Sequence, residues 1–168
     1  NLDEIGLAEG SESMPLKALH PLLDQSTEEL PHNQVAVIGI SNWALDPAKM
    51  NRGLFVARGE PDIKELIQTA RGICAHNTES FSRIEPHLEK IAHAYLSLCR
   101  RALETEREFY GLRDYYALVK MLSYLCARDP DLTWSKLEHA VRRNFGGLDL
   151  DLMAPFHEAL GDSSLEMS

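Results

Sequence analysis

The stretch Val35-Ala36-Val37-Ile38-Gly39-Ile40-Ser41-Asn42 decides the fold class. It opens as a continuous apolar run rich in β-branched residues, which is typical of a strand buried on both faces in a parallel sheet covered by helices. The run ends in two polar residues, Ser41 and Asn42. Because ligands of open α/β sheets bind at the carboxyl ends of the strands, both side chains are candidates for a binding site. The alternative is that they cap a turn.

An acid pair lies upstream of this run, in Leu2-Asp3-Glu4, and it has the form of another strand end. Taken alone, so short a motif is more often surface charge than a catalytic site. The abrupt opening at Asn1 leads us to expect a piece of a longer protein. Between the two segments, Ser13 and Pro15 introduce a helical pattern that includes Leu16, Leu19, Leu22 and Leu23 and ends near Asp24.

Downstream of the run, Asp46-Pro47 predicts a helix start, with Asp as the N-cap and Pro at the first helical position. This short helix is expected to reach about Arg52 and to stop at Gly53. Leu54-Phe55-Val56 then predicts a last short strand.

From Pro61 onward the pattern predicts helices alone. The strongest signal is an apolar stripe down one face of a long helix, formed by Ile84, Leu88, Ile91, Tyr95, Leu98 and Ala102. Other helices are predicted around Ile63–Ile73, Leu112–Cys126, Leu137–Phe145 and Leu152–Leu160. The sequence therefore predicts an α/β part up to about residue 60 and an all-helical part after it.

Composition narrows the class of protein. The 168 residues are 44% hydrophobic and 26% charged, the balance of a folded domain, and the formal net charge of -9 makes nucleic acid a poor partner. No apolar stretch has the length of a transmembrane segment. Cys74, Cys99 and Cys126 lack zinc spacing and are predicted to be free core thiols in a reducing compartment, and no His-Glu-x-x-His pair indicates a metal site.

The order of these motifs resembles the AAA+ ATPase superfamily, in particular its dynein and midasin branch. The resemblance rests on Asp3-Glu4, Ile40-Ser41-Asn42, Leu45-Asp46-Pro47-Ala48, Arg52 and Gly111-Leu112-Arg113-Asp114. It implies an α/β, helix-rich fold: the C-terminal half of an AAA+ αβα core with few parallel strands in residues 1–60, and an all-helical lid in residues 61–168.

The resemblance also implies a role for each site residue. Asp3 would hold Mg²⁺ through water at the end of a Walker B strand, and Glu4 would orient the water that attacks ATP. Asn42 would be sensor one, and Arg113 would be sensor two, leaning over the γ-phosphate. Arg52 would be the arginine finger that reaches the neighbouring module, with Arg58 as the competitor. Either arginine could instead be a surface residue or a helix C-terminal charge.

A longer likeness covers residues 1 to about 147, including Gly39–Gly53 and Arg143-Asn144-Phe145-Gly146. There the chain resembles one ATPase module of the giant RING-type E3 ubiquitin ligases that have a dynein-like AAA+ core. This implies a cytoplasmic parent protein that associates with lipid droplets, takes part in antimicrobial defence and works with ATP, adjacent AAA+ modules and the ubiquitin machinery. Zinc would be bound only in other parts of that parent.

Three functions remain open. In the first, the chain is part of a module in which ATP hydrolysis is coupled to ubiquitin transfer; in the second, it is a catalytically inactive AAA+-derived helical scaffold. A free-standing helical binding domain with an accidental acid pair is a third possibility. Because the chain has no Gly-x-x-x-x-Gly-Lys-Ser/Thr phosphate loop, we expect it not to hydrolyse ATP on its own.

Overall fold

The structure is a computed structural model that describes residues 1–19, 36–105, 110–147, 149–161 and 165. The chain divides into two compact units, Asn1–Gly59 and Glu60–Ser168. Their boundary lies next to the one predicted between residues 60 and 61. The interpretation of these units as an AAA+ core and its lid stays a prediction.

The described residues of the first unit form two short α-helices, α1 (Ile5–Glu9) and α2 (Pro47–Met50), and a 3-10 turn at Pro15–Leu19. Leu2 and Gly39 form a parallel bridge, in which Leu2 donates its N–H to the Ile38 carbonyl at 2.8 Å and Ile40 donates to the Leu2 carbonyl at 2.9 Å. The N–H of Ile5 continues this ladder to the Ile40 carbonyl at 2.9 Å. The two segments therefore run side by side in the same direction.

The expectation of a strand buried on both faces is wrong for the residues that the structure describes in this run. The side chains of Ile38 and Ile40 are 62% and 58% exposed, and the Leu2–Gly39 bridge is the extent of the pairing among the described residues. A buried strand needs backbone partners on both edges and apolar layers on both faces. The described part of this unit supplies one partner segment, so the parallel sheet of the expected core stays a prediction.

The prediction of a final short strand at Leu54-Phe55-Val56 is also wrong. These residues have no regular structure, and their side chains are 94%, 56% and 79% exposed. β-branched and aromatic residues favour a strand only where a neighbouring strand is within reach. The predicted helix after Ser13 is a 3-10 turn as far as Leu19, and the rest of it, like Val35, lies outside the described residues.

The prediction for α2 is confirmed. The carboxylate of Asp46 accepts a hydrogen bond from the N–H of Lys49 at 3.1 Å, and Pro47 follows at the start of the helix. This is the ordinary N-cap arrangement, in which a side-chain oxygen satisfies one of the N–H groups left free in the first turn. The helical residues end at Met50, before the expected Arg52.

The regular elements of the second unit, in its described residues, are helices joined by short connections. Its elements are α3 (Ile63–Cys74), α4 (Thr78–Ile84), a 3-10 turn at Glu85–His87, α5 (Leu88–Leu103), α6 (Leu112–Arg128), α7 (Trp134–Phe145) and α8 (Ala154–Leu160). Local sequence sets several of the starts: Asp62 and Glu65 form a capping box at α3, Asn77 caps α4 and Thr133 caps α7.

The long helix expected from Ile84 to Ala102 is interrupted. Ile84 belongs to α4, and Pro86 lies in the 3-10 turn that separates α4 from α5. Proline lacks an N–H and its ring crowds the preceding turn, so it ends one helix and starts another. The predicted apolar stripe is nevertheless buried along its whole length, with no member more than 3% exposed.

One apolar core holds this unit together, and α5 and α6 lie at its centre. Helix α5 packs against α3 and α8, whereas α6 packs against α3, α4 and α7. The ring centroids of Tyr95 and Tyr115 lie 5.0 Å apart. The buried hydroxyl groups of Ser80 and Ser123 form a hydrogen bond, with 3.0 Å between their Oγ atoms. Such a bundle is stabilised mainly by the burial of apolar surface, which contributes about 25 cal/mol for each Å² removed from water.

The three cysteines are free, as predicted, with Cys74 and Cys126 buried and Cys99 partly buried. Burial raises the pKa of each thiol, which makes all three poor nucleophiles. Among the described residues, no helix is long and apolar enough to cross a membrane.

Candidate functional site

The acid pair lies in the turn between the Leu2 bridge and α1. Glu4 has φ 49° and ψ 40°, the left-handed region that non-glycine residues seldom adopt. Its N–H donates to the Asp3 carboxylate at 3.0 Å, and both residues are exposed. Holding such a backbone costs on the order of 1–3 kcal/mol and is more frequent at functional sites than elsewhere. The conformation turns the chain from the bridge into α1 directly at Glu4.

The polar pair Ser41-Asn42 follows the other side of the bridge. The N–H of Trp43 donates to Ser41 Oγ at 3.3 Å, so Ser41 stabilises its own turn, as the alternative interpretation expected. Asn42 and Trp43 are exposed. Ser41 is thus used structurally, whereas the Asn42 amide lies on the surface beside it.

These two turns line the same cavity. Its volume is about 60 Å³, and its walls are formed by Glu4, Gly6, Leu7, Ser41, Asn42 and Trp43. The cavity is open to solvent on one side and has room for water. The structure therefore places Glu4 and Asn42 at one pocket beyond the parallel bridge, and the catalytic roles expected for them stay predictions.

A network of charged groups in the same unit was not foreseen from the sequence. Glu9, the last residue of α1, accepts hydrogen bonds on Oε1 from the Asp46 N–H at 2.9 Å and from Lys49 Nζ at 2.7 Å. Lys49 Nζ also forms an ion pair with the Asp46 carboxylate. Helix α1 is thereby tied to α2 through a lysine whose side chain is 18% exposed.

The network changes the proton affinity of its members. Hydrogen bonding to Lys49 lowers the pKa of Asp46 to about 2, although partial burial opposes the shift. Hydrogen bonds to Asp46 and then to Glu9 raise the pKa of Lys49. The ion pair therefore stays charged at neutral pH. The signal available in the sequence was the i, i+3 spacing of Asp46 and Lys49, but no local rule connects either residue to Glu9.

The two arginine candidates differ in their surroundings. Arg52 is half-buried, and its Nη1 donates to the Ala48 carbonyl at 2.6 Å, one turn earlier in the chain. A cation that binds the last carbonyls of a helix is a common C-terminal arrangement. Arg58 is exposed. Both the arginine-finger role and the helix C-terminal role thus remain open for Arg52.

Arg113 lies in the second unit, in the first turn of α6, and is exposed. The turn is fixed by Asp114, whose carboxylate accepts a hydrogen bond from the Gly111 N–H at 2.8 Å. This is half of a capping box, since glycine has no side chain to return the bond. The sensor-two role of Arg113 stays a prediction.

The described residues contain no group of three or more His, Cys, Asp or Glu side chains that could hold a metal ion. Magnesium in AAA+ sites is held largely by water and nucleotide phosphates, with few protein ligands. A single exposed carboxylate such as Asp3 fits that kind of site. The magnesium role of Asp3 stays a prediction.

Comparison with known proteins gives a consistent result. Residues 1–65 match the family model described as RNF213 AAA domain. The E3 ubiquitin-protein ligase RNF213 of Mus musculus is 49% identical over 152 residues, which is 88% of this chain and 3% of that protein. The human RNF213 is 48% identical over 153 residues, again 88% of this chain and 3% of the relative.

The rnf213-beta ligase of Danio rerio is 49% identical over 152 residues, covering 87% of this chain and 3% of the relative. The chain thus spans about 3% of the length of the curated relatives that it matches. The likeness extends well past residue 65, so it includes most of the helical unit. The chain belongs to the family of the AAA region of RNF213, or mysterin, E3 ubiquitin-protein ligases.

Proposed function

We propose that this chain supplies part of an ATP-hydrolysing AAA+ module within an E3 ubiquitin ligase. The observation that carries the proposal is the parallel Leu2–Gly39 bridge, beyond which Glu4 and Asn42 line one water-sized cavity. An acid and an amide at adjacent strand ends can together hold and polarise an attacking water. The left-handed backbone of Glu4 supports the proposal, because such conformations are more frequent at functional sites than elsewhere.

Each residue has a role in this proposal. Asp3 holds the water shell of Mg²⁺, Glu4 orients and polarises the attacking water, and Asn42 fixes that water from the opposite wall. Arg52, or else Arg58, acts on the nucleotide of an adjacent module, and Arg113 acts as sensor two. ATP binds with Mg²⁺, which neutralises the charge on the phosphates. The phosphate loop would come from outside this chain, so the chain alone is expected to be inactive.

The relatives are named E3 ubiquitin-protein ligases, and we extend the proposal to the parent protein. There ATP binding and hydrolysis in the AAA region would be coupled to ubiquitin transfer carried out elsewhere in the chain, where any zinc is bound. The parent would act in the cytoplasm, associate with lipid droplets and contribute to antimicrobial defence.

One observation favours the alternative of an inactive scaffold. The Arg52 guanidinium donates to the Ala48 carbonyl of its own helix, a contact that serves the fold of α2 whether or not the module hydrolyses ATP. A scaffold would need the helical bundle and this cap, but it would not need an acid beside Asn42. The two functions therefore differ in what Glu4 does.

The test is Glu4→Gln in the full-length protein that contains this chain. The amide keeps the size of the side chain but cannot polarise water as a carboxylate does, so ATP turnover by this module should fall by at least about 100-fold while nucleotide binding persists. Glu12→Gln is the matched control, since Glu12 is an exposed glutamate of the same unit and does not line the cavity. Wild-type turnover in Glu4→Gln would exclude catalysis by Glu4 and favour the scaffold.

A further inference from the structure

We propose that Glu9 and Lys49 are positioning residues that hold Arg52 at its working place by coupling the helix after Glu4 to the helix before Arg52. This inference rests on the proposed function. It concerns the network of Glu9, Asp46 and Lys49, whose members do not line the cavity between Glu4 and Asn42. The network joins residues 37 and 40 positions apart in sequence.

Helix α1 is fixed at both ends. At its start, directly after Glu4, the Ile5 N–H donates to the Ile40 carbonyl at 2.9 Å. At its end, Glu9 accepts the two hydrogen bonds from Asp46 and Lys49. Between these ends Gly6 is buried against the Ser41–Trp43 turn, with no room for a side chain. This five-residue helix is thus held at its start, at Gly6 and at its end.

Helix α2 carries the connection onward to Arg52. Its first turn is formed around Asp46, which caps the helix through the Lys49 N–H at 3.1 Å. The Arg52 N–H donates to the Lys49 carbonyl at 3.2 Å, and its guanidinium donates to the Ala48 carbonyl at 2.6 Å. Lys49 thus contacts α1 through its side chain and Arg52 through its backbone.

The type of contact supports a positioning role over simple surface charge. Exposed ion pairs contribute little, because water screens them and long side chains lose freedom when they pair. Here Lys49 is 18% exposed and Glu9 is 24% exposed, and one Glu9 oxygen receives both a backbone and an ammonium donor. Charge-assisted bonds that converge on one atom fix geometry more tightly than a single pair does. Loss of the network should therefore let α2, and Arg52 with it, shift against Glu4.

The experiment compares Lys49→Met and Glu9→Gln in the full-length protein, each with Arg52 present and in an Arg52→Ala background. We expect Lys49→Met to lower the kcat of ATP hydrolysis about tenfold and Glu9→Gln to lower it less. The Kd for ATP should stay unchanged, because a misplaced Arg52 stabilises the transition state less but does not alter nucleotide binding. In the Arg52→Ala background neither change should lower kcat further. Lys17→Met and Glu12→Gln are the matched controls, as both residues are exposed in the same unit.

The background comparison separates positioning from a merely structural role. A structural role would lower kcat by the same factor with and without Arg52, and that result would overturn the inference, as would full activity of both variants. If Lys49→Met does not fold, the milder Glu9→Gln decides by the same comparison. Failure of the proposed function has a different result: Glu4→Gln and Arg52→Ala would then both hydrolyse ATP at the wild-type rate, and the inference would fall with it.

Discussion

Gly6 lies against the indole of Trp43 so closely that a methyl group at position 6 would overlap the ring, and it would overlap the Ser41 hydroxyl as well. The contact joins the turn that follows the acid pair to the turn that carries Asn42. Glycine is required at position 6 because a larger residue does not fit there. The backbone conformation does not require it, since Gly6 lies inside helix α1 and does not have a positive φ.

Gly6→Ala should therefore destabilise the first unit. The added methyl group has to displace Trp43 or α1, and overpacking of this kind costs about 1–3 kcal/mol. Urea unfolding followed by Trp43 fluorescence, with Trp134→Phe as the common background, measures the change. Gly10→Ala is the control, since nothing lies within 4 Å of a methyl group at Gly10, and it should change the stability by less than about 0.5 kcal/mol. Equal effects of the two changes would contradict the proposed packing of Gly6.

A second pair of glycines tests the helical unit. Gly72 lies inside α3, is exposed, and has open space around its missing side chain. Gly72→Ala should stabilise this unit by about 0.4–1 kcal/mol, because alanine has less freedom to lose on folding. Gly146→Ala should do the opposite, since its methyl group would overlap the backbone carbonyl of Arg142. Circular dichroism during urea unfolding measures both, and a destabilised Gly72→Ala would show that position 72 is not the open helical site described.

The buried stripe of α5 gives a third prediction. Leu98 is completely buried at 0% exposure, whereas Leu103 on the same helix is 56% exposed. Leu98→Ala should lower the free energy of unfolding by about 2–5 kcal/mol, through lost burial and the cavity left behind. Leu103→Ala should change it by less than about 0.5 kcal/mol. The urea midpoint of each variant measures the difference. A small loss for Leu98 would mean that the stripe does not form the core.

Local features of this chain could be predicted from its sequence. Asp46 was identified as an N-cap because the cap involves a residue three positions later, and the α5 stripe was identified because helical period alone places it on one face. Pro86 is a local signal for a break in the helix, but the apolar periodicity on both sides of it led to the prediction of one continuous helix. The adjacency of Glu4 and Asn42 followed from an additional assumption, that their two segments run parallel.

Features that depend on distant parts of the chain could not be predicted. The hydrogen bond between Lys49 and Glu9 joins residues 40 positions apart, and no periodicity specifies it. The burial of Ile38 and Ile40 was expected from their apolar character, but burial depends on the partners that surround a segment, and both side chains are more than half exposed. The left-handed backbone of Glu4 was missed for a different reason: glycine, Asn or Asp is the usual residue in that conformation, so the residue type gave no signal.

The last prediction concerns the pH dependence of the Glu9, Asp46 and Lys49 network. The pKa of Asp46 is lowered to about 2, so its contribution to stability is present above the ordinary carboxyl pKa and is lost as the pH falls through about 2. The pKa of Lys49 is raised, so its contribution is present below the ordinary lysine pKa and is lost only when the pH rises through the raised value. The contribution of the network to stability should therefore not change with pH across the neutral range.

Lys49→Met should accordingly have a lower thermal midpoint than the wild type at pH 5 to 8, and the difference should disappear as the pH falls from about 4 to 2. Trp43 fluorescence in the Trp134→Phe background follows the first unit, and Lys17→Met is the control that should match the wild type at every pH. The decisive comparison is the midpoint difference at pH 7 against that at pH 2. A difference that is equal at both values, or that changes near pH 6, would mean that a group other than the Asp46 carboxylate controls the contact.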